Sequence, residues 1–115
     1  MTSEEKKLLK DIQQAALNIN IHLEGRRIFK EFAENITKRR AIERELEIIG
    51  EATNNLLKLN ASEVLTRGRQ IVNLRNRVIH AYDDVDETII WKVIVKDIPV
   101  LLEEVQKLLS GDELL

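Results

Sequence analysis

At 115 residues the chain is long enough for one domain with its own core, and the absence of cysteine excludes disulfide staples and thiolate metal sites. Aromatic residues make up only 3% of it, Phe29, Phe32, Tyr82 and Trp91 being the whole set, which argues against the base-stacking platforms of single-strand binders. One proline, four glycines and an abundance of Leu, Ile, Glu, Lys and Arg favour long helices over sheets.

The opening stretch, MTSEEKKLLKDIQQ, is charged from its fourth residue and lacks the apolar run of a signal peptide. No stretch approaches the length of about 18 apolar residues needed to span a bilayer, so a cytoplasmic protein with no membrane partner is expected. Ser3 is placed to cap a first helix, along which Leu8, Leu9, Ile12, Ala15, Ala16, Ile19 and Leu23 recur at spacings of three and four, to about Glu24. Gly25 interrupts the pattern. A short second helix over about Arg27 to Glu34 would bury Ile28, Phe29 and Phe32, with Asn35 at its end.

Thr37 is the expected cap of a long third helix with Ile42, Leu46, Ile49, Ala52, Leu56 and Leu59 on one side, ending near Asn60. Ser62 would cap a fourth, with apolar positions Val64, Leu65, Ile71, Val72, Leu74, Val78 and Ile79. Asp86 is the expected cap of the last helix, which holds Ile89, Ile90, Val93, Ile94, Ile98, Leu101, Leu102, Val105, Leu108 and Leu109. Pro99 lies inside that helix and should kink it near Val95 to Asp97. The β-branched run IIWKVIV mimics a strand, but helical patterning continues on both sides and no partner strand exists in the sequence. The expected fold is all-α: an antiparallel four-helix bundle with an additional short helix, forming one domain over residues 1–115 with frayed ends at 1–4 and 110–115.

Charge is unevenly spread. Residues 1–82 carry 15 basic against 11 acidic side chains, and residues 83–115 carry 3 against 9. From Val64 to Tyr82 there are four arginines, Arg67, Arg69, Arg75 and Arg77, and no acid. Such a segment attracts phosphate or an acidic partner, unless it is simply a solvated face balanced by the acidic C-terminal helix.

Within it, NLRNRVIHAY gathers an arginine, an amide, an imidazole and a phenol. On a helix Asn76 and His80 share a face, as do Arg75 and Tyr82, but Arg75 and His80 are turned about 140° apart. One straight helix does not aim both at one atom; a second subunit completing the site would, and would also concentrate the arginines. The chemistry that suits the set is phosphodiester cleavage. A histidine that titrates near neutrality takes or gives a proton, and an arginine holds phosphate and stabilises its developing charge. RNA supplies its own nucleophile in the 2′-hydroxyl, so no metal or other cofactor is called for. Asn76, Arg77 and Arg69 are candidates for supporting or RNA-binding roles. The bland alternative is that these side chains cap, pack or lie in solvent. His22 has no arginine or carboxylate paired with it in the pattern and reads as a surface or packing histidine. Trp91 reads as core or interface, and Asp83, Asp84, Asp86 and Glu87 as a solvated helix start, because the glycine and terminal glutamate of a calcium loop are missing.

The run RNRVIHAY fits the pattern of arginine, four residues, histidine, one residue, tyrosine. With AIERELEIIGEATNNL (residues 41–56) and DDVDETIIWKVIVKDIPVLLEEV (residues 83–105) it resembles the HepT-like toxins of the HEPN superfamily over residues 5–109. The resemblance implies a helical bundle that dimerises and cleaves RNA without a metal, with Arg75 and His80 as the catalytic pair. It implies a toxin–antitoxin system in which a minimal nucleotidyltransferase antitoxin of the MntA type silences the toxin by AMPylation of Tyr82. The alternative within the same superfamily is a non-catalytic binding module that docks or regulates such a nucleotidyltransferase. Many relatives carry a tryptophan-containing loop and a glycine before the motif, where this chain has TRGRQIVNLRN.

Overall fold

The computed structural model describes residues 1–59, 65, 69, 71–73 and 86–114, and among these there is no strand. Among the described residues, the helices with defined bounds are, in chain order, α1 (Ser3–His22), α2 (Phe29–Glu34), α3 (Ile36–Lys58), α4 (Glu87–Lys92) and α5 (Ile98–Leu114), the last two joined by a π-helical segment, Val93–Asp97. The described residues form an all-α bundle, as the patterning predicts.

Helix α1 begins one residue earlier than expected. Thr2, not Ser3, is the cap: its Oγ1 accepts from the Glu5 amide at 3.1 Å and donates to the Glu5 carboxylate at 3.0 Å, a close variant of a capping box. The helix ends at His22, two residues short of the expected boundary. Gly25 N–H donates to the Asn20 carbonyl and Glu24 N–H to the Ile21 carbonyl, the paired bonds of a Schellman motif. The residue just past the cap is Glu24, at φ 56°, and Gly25 follows at φ 72°. A left-handed non-glycine residue costs about 1–2 kcal/mol. Here Glu24 is held by ion pairs to Arg26 at 3.1 Å and Lys38 at 3.5 Å.

A single extended residue, Asn35, separates α2 from α3 and serves both. Its N–H donates to the Glu31 carbonyl at the end of α2, and its side chain accepts from the Lys38 amide at the start of α3. This overturns Thr37 as the cap of α3: Thr37 lies inside the helix, and the stronger capping side chain two residues earlier has taken the position. Helix α1 buries Leu9, Ile12, Ala15, Ala16 and Ile19 and packs most heavily on α3, which buries Ile42, Leu46, Ile49, Ala52 and Leu56. The ion pair from Glu24 to Lys38 puts the end of α1 beside the start of α3, so the two run antiparallel.

Of the predicted fourth helix, Arg69 and residues 71–73 are helical, with Ile71 and Val72 buried. Leu65 is buried but outside helical geometry, so an unbroken helix from Ser62 does not hold at that position. Ser62 itself lies outside the described residues.

The last helix starts as expected at Asp86, whose side chain accepts from the Thr88 amide at 2.9 Å. That bond holds the Asp86 carboxyl below its ordinary value of 3.8. A depressed carboxyl contributes stability above its unfolded value and loses it as pH falls through the folded one. The melting-temperature gap between the native chain and Asp86→Ala should therefore be full above about pH 5 and narrow below 3.8, whereas Asp86→Ser should keep the cap without that dependence. A gap that stayed constant through acid titration would show that the cap bond does not depend on the charge.

The expected disturbance before Pro99 takes the form of the π-helical segment. Proline has no N–H to give to Val95, and its ring crowds that carbonyl. The backbone widens one turn earlier, with the Ile98 N–H reaching back five residues to the Val93 carbonyl. Ile90, Val93, Ile94, Ile98, Leu101, Val105 and Leu109 still reach the core across the widened turn.

Candidate active site

The sequence-predicted residues Arg75, Asn76, Arg77, His80 and Tyr82 lie outside the described residues, as do Asp83 and Asp84. Arg69 is described, helical and exposed. The described structure delimits the motif segment from both sides. Before it, Ile71 and Val72 are buried at 1% and 4% exposure, and Asn73 is exposed. After it, the chain re-enters at Asp86, the cap of α4.

The re-entry point is tied to the rest of the bundle by Arg39. This residue lies on the first turn of α3, and its Nη1 donates to the Ala33 carbonyl at 2.6 Å. Ala33 is in the last turn of α2, where carbonyls have no partner further along the helix, so the charged donor supplies one. The same Nη1 stands 3.8 Å from the carboxylate of Glu87, the first residue of α4, and Nε stands 3.9 Å from Glu43, one turn along α3. Burial raises the Glu43 carboxyl above its ordinary value; Arg39 and Arg40 pull it down, and Glu47 and Glu87 push it up. Three helices thus share one guanidinium.

An aromatic cluster packs beside this junction. Trp91 of α4 meets Phe32 with ring centroids 5.4 Å apart and Phe29 edge-on at 5.9 Å. Phe32 is fully buried, but Phe29 is 37% and Ile28 46% exposed, contrary to the expectation that α2 buries all three. With only six residues in α2, one face reaches the core and the cap residue Ile28 stays outside.

His22 is more than a packing residue. Its Nε2 lies 3.0 Å from Glu45 Oε2, joining α1 to α3 across 23 positions. The signal that could have found this pair was an acid on an apolar stripe: Glu45 falls between Ile42 and Ile49 at helical spacing and is 8% exposed. Among the described residues no three His, Cys, Asp or Glu side chains are placed to hold a metal ion, and no helix is long and apolar enough to cross a membrane.

Comparison with known families resolves which bundle this is: the family model described as "Ribonuclease HepT-like" matches residues 12–108. The chain belongs to the HepT-like ribonuclease family. The match takes in α2, α3, α4, the π-helical segment and the whole of segment 74–85, as well as most of α1 and α5. HepT-like relatives include "Putative RNase TTE0752" of Caldanaerobacter subterraneus subsp. tengcongensis, 36% identical over 74% of this chain and 77% of that protein. They also include "Putative RNase MJ1380" of Methanocaldococcus jannaschii, 37% identical over 68% of this chain and 72% of that one. "Probable ribonuclease HepT" of Thermococcus cleftensis is 39% identical over 59% of this chain and 63% of its own length. No solved structure matches this HepT-like chain.

Proposed function

We propose that this chain is an endoribonuclease toxin that cleaves RNA without a metal, with Arg75 and His80 as its catalytic pair and Tyr82 as the position at which it is silenced. The observation that carries this reading is the run RNRVIHAY inside the span shared with the HepT-like ribonucleases. His80 removes the proton of the RNA 2′-hydroxyl or protonates the departing 5′-oxygen, and Arg75 neutralises the charge that gathers on the phosphate between them. The 2′-oxygen forms its bond to phosphorus as the bond to the 5′-oxygen breaks, so the products are a cyclic phosphate and a free 5′-hydroxyl. Arg69, Asn76 and Arg77 contact the flanking backbone. One straight helix would turn Arg75 and His80 about 140° apart, which supports a homodimer as the working unit, each site drawing on both copies.

The proposed partner is a minimal nucleotidyltransferase antitoxin that moves AMP from ATP to the Tyr82 oxygen, releasing pyrophosphate. On a helix Tyr82 faces the same way as Arg75, so a phenolic AMP would place negative charge where the RNA phosphate must bind. Incubation with such a transferase and ATP should add the mass of AMP to the intact chain and stop RNA cleavage. Both effects should vanish in Tyr82→Phe. An adduct that survives Tyr82→Phe would place the modification elsewhere. A purified chain that never cleaves RNA would favour the binding-module alternative.

A further inference from the structure

We infer that Arg39 is a positioning residue for the ribonuclease motif: its guanidinium fixes the point at which the chain leaves segment 74–85 and enters α4. The inference rests on the ribonuclease reading above, but its observations are separate from the motif.

Arg39 is only 23% exposed and reaches three elements at once. Its hydrogen bond to the Ala33 carbonyl, at 2.6 Å, anchors the guanidinium on the end of α2. From that anchor the same nitrogen faces the Glu87 carboxylate at 3.8 Å, and Nε faces Glu43 at 3.9 Å. Glu87 directly follows Asp86, the cap of α4, and both the Ile89 and Ile90 amides bond to the Asp86 carbonyl. The contact therefore bears on the first turn of the helix, four to five residues after Tyr82 in the chain. An exposed ion pair between two long side chains would fix little. A guanidinium already pinned by a charge-assisted hydrogen bond has lost most of its freedom, so its remaining donors are preorganised. Lysine, with one point charge, cannot serve α2, α3 and α4 together. Catalytic groups misplaced by about 1 Å lose up to about 100-fold in rate, so a fixed chain exit is a requirement of the chemistry.

The test compares purified full-length native chain, Arg39→Met, Arg39→Lys and Glu87→Gln for RNA cleavage and for amide hydrogen exchange over residues 86–90. Arg39→Met should lower kcat about 10-fold, leave KM within about twofold, and speed exchange at 86–90. Arg39→Lys should recover less than half of the loss, and Glu87→Gln should show a smaller fall of the same kind. The double variant Arg39→Met/Glu87→Gln should be no slower than Arg39→Met alone, since both break one contact. A cleaving native chain with unchanged kcat in Arg39→Met, or fully additive losses, overturns the inference. A rise in KM at unchanged kcat overturns it too, because Arg39 would then bind RNA directly. If Arg39→Met does not fold, Glu87→Gln decides alone, its site being 44% exposed. A native chain that leaves RNA intact overturns the ribonuclease reading itself, and the positioning role falls with it.

Discussion

His80→Ala is expected to lower the rate of RNA cleavage by about 100-fold or more, the usual contribution of a positioned general acid or base. Arg75→Ala should cost a similar factor by removing the charge that stabilises the phosphate, and Arg75→Lys should restore only part, since an ammonium cannot bind two phosphate oxygens in a fork. The double variant should be little worse than either single one, because the two groups act in one step. Melting temperatures should stay near that of the native chain throughout. The proposed dimeric arrangement makes a sharper demand. When Arg75→Ala and His80→Ala chains are mixed, each mixed dimer keeps one site with both residues intact if the site spans two copies. With half of the dimers mixed, about a quarter of native activity should return. If each copy holds its own pair, nothing returns. Recovery thus separates a shared site from a self-contained one, and native-like rates in both single variants would remove the pair from the mechanism.

The largest effect on stability is expected at Phe32. Its ring is fully buried and stacks at a tilt on Trp91, and it is the buried residue of α2. Phe32→Ala should cost about 3–5 kcal/mol, lowering the melting temperature by roughly 10–20 °C. A six-residue helix has too few internal hydrogen bonds to persist without tertiary contacts, so α2 should loosen with the lost ring and release the Arg39 hydrogen bond to Ala33. Phe29→Ala, at a ring already 37% exposed, should cost less than half as much. The two melts and the change in Trp91 fluorescence check this directly; an equal or larger drop for Phe29→Ala would mean that the core is centred differently.

Most of the bundle was legible because helix signals are local. The apolar stripes of α1, α3 and the last helix repeat at three and four, and most residues so marked are buried, with Leu8, Leu59, Ile89, Leu102 and Leu108 only partly so. Asp86 and Pro99 act on their own neighbourhood, one through a carboxylate three atoms from its backbone, the other through a missing N–H. The errors were also local in kind. Thr2 displaced Ser3 and Asn35 displaced Thr37 because several capping side chains compete within two residues, and backbone geometry chooses among them. Hydrophobicity alone points Ile28 and Phe29 to the core, but it does not say how much of a six-residue helix can face inward.

The running pattern RNRVIHAY was readable from residue types and spacing, and the family relationship agrees with the function those residues suggest. What the sequence alone determined, then, is the order of the described helices and their buried stripes, and it names the reactive set proposed above. Tertiary structure alone decided what stands between the helices: Arg39 with Ala33 and Glu87, Glu45 with His22, and Trp91 against Phe32. Those partners are separated by 6 to 59 positions in the chain. Helical periodicity specifies which face a side chain occupies. Only the packing of one helix on another specifies which charge, carbonyl or ring it meets there.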